Sequence, residues 1–284
     1  MQMRAAAATI EMGSVEHREV LARFFLDSHV HYVPEAIRWP ALTGEALLRL
    51  TGLPFWREAV ATEHVTSRAV VAAAALESDP EIRRAIELQG FEEQRHARLL
   101  AALTSNYQID VGEPPPFEPR SPDNDFLFSG FGECFDSFFA FGLFALARES
   151  GYFAPELITI FEPVIQEEAR HILFFVNWVQ YRRSQLAFWR RPFYRLRCGW
   201  ILLMQVASRL KTAREMGKGG AEPQQNFTLS AHQDLGADIT LHKLIEVCLR
   251  ENDRRMAPYD ARLARPRLVP TLARLMYRLL PASI

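Results

Sequence analysis

The chain has 284 residues, with 33 Lys and Arg against 34 Asp and Glu and 49% apolar residues, enough for one large core or two modest domains of ~100–200 residues each. A net charge of −1 argues against a protein that holds polyanions by bulk charge alone. Cys134, Cys198 and Cys248 lie far apart and form no CxxC pair, which argues against a disulfide framework or a cysteine zinc site and points to a reducing cytoplasm.

In chain order, residues 1–8 run into Glu11 before any long apolar stretch, unlike a signal peptide. The longest charge-free apolar stretches, 137–147 and 199–207, fall short of the ~18–20 residues that span a bilayer, so no transmembrane segment is expected. No segment shows the alternation of a strand, and the chain reads as all-α. Residues 15–50 predict two short helices around Pro34 and Pro40. A long helix over 53–77 ends at Ser78-Asp79-Pro80, a turn that also caps the next helix, which runs to about 105. Residues 107–125 carry Pro114, Pro115, Pro116, Pro119 and Pro122 and cannot be helical throughout. At ~3.3 Å per residue that linker can return along a whole helix. A third helix spans 124–150, a fourth 155–186, and further helices 190–214 and 236–256 flank a soft stretch at 216–229. A short amphipathic helix closes the chain. One domain over 1–284 is expected, with a core bundle at 53–186, N-terminal helices at 15–50 and a C-terminal extension at 187–284.

The second and fourth helices carry the same pattern, Glu92-Glu93-Gln94-Arg95-His96 and Glu167-Glu168-Ala169-Arg170-His171. Positions i and i+3 share a helix face, so Glu93 with His96, and Glu168 with His171, each offer a carboxylate and an imidazole to one point. One such motif is weak, because Glu and His are common on helix surfaces. Two, each on the second arm of a hairpin, are strong. Hairpin symmetry supplies the missing partners: a turn near 78 places Glu63 opposite Glu93, and a turn at 150–153 places Glu133 or Asp136 opposite Glu168. Glu133 is preferred because it reaches further, leaving Asp136 as a supporting or substitute ligand. Four carboxylates and two imidazoles at one level form the ligand set of a di-iron or di-manganese carboxylate site. The four negative charges offset two divalent cations; without metal they would be a costly concentration of like charge. Glu92 and Glu167, one residue out of phase, read as solvated groups or supports behind the ligands, and Glu92→Ala as a harmless change. Arg95 and Arg170 read as partners of acids, and His64 points ~100° away from Glu63.

On these residues the sequence resembles the ferritin-like di-iron carboxylate proteins over 53–186. The run 167–172 is similar to the fourth-helix motif of the para-aminobenzoate N-oxygenase type of di-iron oxygenase. That group carries an extra histidine ligand one turn before the last ExxH, where this chain has Val164. The resemblance implies a ferritin-like four-helix bundle with additional N- and C-terminal helices, two iron ions (or manganese with iron), O2 as co-substrate, a small and largely apolar organic substrate, and an external electron donor such as a reductase or ferredoxin. A carrier protein and a homodimer are compatible with it, and nucleic acid is disfavoured. Iron oxidation and storage, or hydroxylation of a modified tRNA base, are the competing readings.

Nine of the 20 phenylalanines fall between Phe126 and Phe153. Most read as core; Phe135, Phe138 and Phe139, near Glu133, read either as core or as the wall of an apolar pocket beside the metals, covered by part of 187–284. Two arginine-rich segments, 188–197 and 250–278, read as solvated helix faces or as surfaces for an acidic carrier, a phosphate, RNA or a membrane.

Overall fold

The computed structural model describes residues 10–53, 55–114, 116–216 and 240–280, and no strand occurs among them. The protein is all-α. The α-helices are α1 (Val15–Asp27), α2 (Gly44–Thr51), α3 (Trp56–Ala74), α4 (Pro80–Asn106), α5 (Pro122–Glu149), α6 (Pro155–Gln185), α7 (Arg191–Met216), α8 (Leu241–Met256) and α9 (Leu268–Leu279).

The boundaries follow local chemistry. Asp79 caps α4 by accepting from the backbone N–H groups of Glu81 and Ile82, with Pro80 at the first helical position. Ser14 caps α1 through His17 N–H. The expected helix around Pro40 is absent. Pro34–Ala36 form a single 3-10 turn, and the second N-terminal helix is α2, starting at Gly44. A proline at residue 40 holds Pro40 and the residue before it extended, and the Pro40 carbonyl accepts from Tyr107 Oη. The soft stretch at 216–229 and the start of the predicted helix at 236 lie outside the described residues, apart from Met216 at the end of α7.

Helices α3 and α4 form one hairpin and α5 and α6 another. α3 touches α4 and α5, and α6 touches α5 and α4, so the four close into a ring. Two apolar clusters fill its ends. At one end Val70, Ile82, Ile86, Phe126, Phe175 and Trp178 pack together; at the other lie Trp56, Leu100, Leu103 and Leu157. Burying a side chain of this size contributes ~1.5–3 kcal/mol. Between the clusters, at mid-height, the polar motif residues face one another. α5 is long and apolar enough to cross a bilayer by length and composition alone, with mean hydropathy 1.3 over its most apolar window. Its faces are instead covered by α3, α6, α7, α8 and α9. Two glycines set that close packing: a Cβ on Gly130 would fall 2.3 Å from the Phe175 ring, and one on Gly142 2.3 Å from Cys248 Sγ.

Candidate metal centre

All six sequence-predicted ligand residues converge between the apolar clusters. Glu63, Glu93, His96 and Glu168 place one ligand atom each within 4.8 Å of one another, and Glu93, Glu133 and His171 do the same. Glu93 belongs to both groups. Glu168 Oε1 lies 3.3 Å from His96 Nδ1 and 3.9 Å from His171 Nδ1, so it too stands between the halves. Glu63 Oε2 is 3.7 Å from His96 Nδ1, and Glu93 Oε1 is 2.9 Å from His171 Nδ1. Ligand atoms held ~2.0–2.2 Å from one ion lie about 3–4 Å apart, which these separations match.

A second tier of side chains stands behind the first. Glu92 is fully buried and its Oε2 accepts from His171 Nε2 at 2.8 Å, while Oε1 accepts from Arg170 Nη1 at 2.8 Å. Glu167 mirrors it, accepting from His96 Nε2 at 2.9 Å and from Arg95. The first glutamate of each motif therefore grips the histidine and arginine of the other. An ionised carboxylate offers only lone pairs, so Nε2 of each imidazole carries a proton toward it and Nδ1 is the nitrogen that faces the centre, where a metal would displace its proton. The expectation that Glu92→Ala is harmless is corrected by this arrangement: Glu92 orients a candidate ligand and neutralises a buried arginine.

The segment after α1 completes the outer tier. His29 Nδ1 lies 2.5 Å from Glu92 Oε1, and Tyr32 Oη donates to Glu167 at 3.3 Å. Arg170 donates to Ser28 Oγ and the Phe25 carbonyl, and Arg95 to the Val30 carbonyl. His29, Glu92 and Glu167 also approach each other closely, but both carboxylates are already charge-paired. Of the two roles open to Glu92 and Glu167, solvated groups or supports behind the ligands, the structure shows the supporting one, with Arg95 and Arg170 paired to acids as expected; that each pair joins α4 to α6 is beyond what helix periodicity encodes. His29 and Tyr32 carry no periodic signal.

The two tiers differ in how their polar atoms are satisfied. Glu63 Oε2, both Glu133 oxygens and His96 Nδ1 are buried without a hydrogen-bond partner, and Glu93 Oε1 and His171 Nδ1 face only each other, 2.9 Å apart. Such orphans are costly; Arg95 Nε and the Gln89 amide are also unpartnered, but the unpartnered carboxylate and imidazole atoms all belong to the candidate ligands. Burial pushes the carboxyls of Glu63 and Glu133 well above the usual range, reinforced by neighbouring carboxylates. Burial would lower His96 and His171, but their facing carboxylates outweigh it and hold both well above 6.5. Burial likewise acts to raise Glu92, and its bonds to His171 and Arg170 reverse the shift, keeping it ionised. Glu168 is lowered in the same manner, against burial, by His96, His171 and Ser137. The donor set, hard carboxylates with imidazole, suits iron, manganese or zinc, and the buried Glu/His cluster is able to hold metal. Two divalent cations would neutralise four inner carboxylates, as Arg95 and Arg170 neutralise Glu167 and Glu92.

Asp136 is not drawn in. It pairs with Arg209 of α7, whose Nε donates to Asp136 Oδ1 at 3.1 Å. His64 is half-buried and makes no contact with the cluster. A cavity of about 1320 Å³ opens from Glu63, Glu93, His96, Glu133 and Glu168 toward one end of the ring. Its apolar wall includes Trp56, Val60, Phe128, Phe144, Phe161 and Val164, and Gln205 and Arg209 of α7 border it. The residue at the position of the extra family histidine, Val164, is thus cavity wall. Phe128 and Phe144 are the α5 phenylalanines that line it. Phe135, Phe138 and Phe139 do not: Phe138 is buried against α8 with Phe135 and Phe139 beside it, because α8 covers that face of α5.

No family model matches the chain, and neither a curated protein nor a solved structure matches it.

Proposed function

We propose that the protein is a ferritin-like, non-haem di-iron oxygenase that uses O2 to oxidise a small, largely apolar organic substrate. The observation that carries this reading is the convergence of orphaned Oε and Nδ1 atoms at the inner end of an apolar-walled cavity. Glu63 and His96 would hold one ion, Glu133 and His171 the other, with Glu93 and Glu168 between them. When bound and reduced, such a metal pair supplies the electrons and the Lewis acidity for O2 activation. The chain's own residues do the rest. Glu92 and Glu167 fix the imidazole orientation, the apolar wall holds substrate by burial and excludes water, and Arg95 and Arg170 pair with the outer carboxylates.

Iron oxidation and storage would use the same ligands. It requires a hydrophilic route for iron; the cavity that reaches this centre has a broad aromatic and aliphatic wall but is also bordered by Glu58, Asp110, Glu113 and Asp136, so the fate of added iron separates the two readings. The test is metal analysis of protein purified without added metal, then anaerobic Fe(II) loading and exposure to O2 with a panel of apolar amines, aromatics and acyl compounds. Two irons per chain and a substrate-dependent rate of O2 consumption support the oxygenase. Iron mineral accumulating at more than two per chain, with no substrate dependence, would overturn it.

A further inference from the structure

The two arginine-rich segments have opposite fates in the fold. In the C-terminal one five of the eight arginines pair with acids of the chain: Arg250 with Glu149, Arg254 with Glu251, Arg255 with Glu162, Arg262 with Asp260 and Arg274 with Asp253. Around the start of α7 the arginines lack such partners, and only Arg209, further along, pairs closely, with Asp136. From residue 169 to 214 the chain contains no aspartate or glutamate against ten arginines and lysines, in a protein whose charge balances only over its whole length. Among the described residues Arg182, Arg183, Arg190 and Arg195 have no acidic partner within ion-pair distance, and Arg197 reaches only Asp123, at 4.0 Å.

The same helix presents an apolar stripe to solvent. Trp189, Phe193, Leu196, Trp200 and Leu203 are spaced by alternate steps of four and three residues, which places them on one face, and each is more than half exposed; Phe188, 81% exposed, precedes them. The opposite side of α7 is what holds it to the protein, with Tyr194, Ile201 and Gln205 buried and Gln205 donating to the Phe128 carbonyl. At the start of the stripe a cleft of about 380 Å³ is lined by Arg182, Arg190 and Arg197 together with Trp189 and Phe193, against one acid, Asp123. Cationic donors and exposed aromatics thus share one opening.

We propose that the α7 face is a peripheral membrane-binding surface for anionic phospholipid, with headgroup phosphate drawn to the Arg182, Arg190 and Arg197 cleft and the aromatic stripe lying at the boundary between headgroups and acyl chains. Helices that lie in that boundary combine basic residues with Trp, Phe and Leu on the inserted face, and clustered arginines add attraction to anionic lipid. A second copy of the chain fits this face poorly. A two-fold contact sets like against like, and here it would bring unpaired arginines together. The proposal is independent of the metal assignment.

Cosedimentation of the full chain with vesicles of phosphatidylcholine, with or without phosphatidylglycerol, tests it. Binding is expected only with phosphatidylglycerol, weakening as salt rises, with a blue shift of tryptophan fluorescence. Arg182→Gln with Arg190→Gln, and separately Trp189→Ala with Phe193→Ala and Trp200→Ala, should each weaken it by at least roughly tenfold. These side chains are largely at the surface, and a thermal melt of each variant verifies its fold. Equal partition onto pure phosphatidylcholine, no binding to either vesicle, or full binding by both variants would overturn the proposal. So would loss of binding from Leu272→Ala with Leu275→Ala on α9 instead, or a wild-type dimer that the aromatic variant dissociates without any vesicle binding.

Discussion

Glu92 and Glu93 are neighbours on one helix, as are Glu167 and Glu168, yet the two members of each pair live under opposite electrostatic conditions. The outer pair, Glu92 and Glu167, is matched by Arg170 and Arg95 and saturated with hydrogen bonds. The inner group, with Glu63 and Glu133 added, has no basic side chain other than two imidazoles, and most of its inward atoms are bare. The protein therefore completes the outer tier by itself and leaves the inner one to be completed by something else. A buried concentration of carboxylates that is never compensated would be expelled or protonated. The contrast is the physical reason for reading the inner tier as a place for cations.

The largest effect should follow from removing an inner ligand. His96→Ala or His171→Ala should reduce bound metal from two ions per chain to one or none and abolish substrate oxidation. The helical circular dichroism should persist, because the apolar clusters at the two ends are untouched. Unchanged metal content in both variants would remove the assignment.

Next come the outer carboxylates, where the comparison can be broken outright. Glu92→Ala and Glu167→Ala each strand a buried arginine and should cost about 3–5 kcal/mol, and should weaken metal binding by about 10–100-fold through the misoriented imidazole. Glu133→Gln keeps the neutral state that burial already favours in the metal-free protein, so metal-free stability should hold near neutral pH and rise at higher pH, while metal affinity falls. Chemical denaturation with and without metal reads both signs. If Glu92→Gln and Glu133→Gln change metal-free stability alike, the two tiers are not distinct.

The pH dependence sharpens the same point. Glu63 and Glu133 have raised carboxyl pKa values in the metal-free protein, and His96 and His171 are raised as well. Each such group contributes stability that is complete below its unfolded pKa and is lost as pH rises through its folded pKa. Metal-free protein should therefore melt higher at about pH 6 than at about pH 8. Metal displaces those protons, so the loaded protein should show the reverse trend, with metal lost on acidification. Parallel melting curves across pH for the two forms would contradict this.

The smallest effect is expected at the cavity wall. Ala140 lines it and is not one of the candidate ligands. Ala140→Phe should raise KM for a bulky substrate several-fold while leaving metal content and the pH trend intact, which separates substrate space from metal geometry. Steady-state rates with a large and a small substrate make the comparison.

Much of this was legible along the chain. The four long helices begin and end close to where proline, glycine and capping residues place them, because those signals act within a turn. The six inner residues could be chosen because 3.6-residue periodicity puts Glu93 on the face of His96, and hairpin symmetry carries that level across to Glu63 and Glu133. Both are properties of a helix and a short turn, and need no knowledge of the rest of the fold.

Only the tertiary structure decided which carboxylates are bare and which are paired. Glu92 and Glu93 are indistinguishable by composition, and a helix rotation of ~100° separates them; what each meets depends on α6 and on the chain after α1. His29 and Tyr32 reach the outer tier across more than sixty residues of sequence, and contacts over such separations leave no periodic trace. The cavity wall was decided in the same way. Phe138 is turned from a candidate lining residue into core by α8, a helix that follows it by about a hundred residues. Local periodicity determined where each ligand could point, and packing between distant segments determined what it found there.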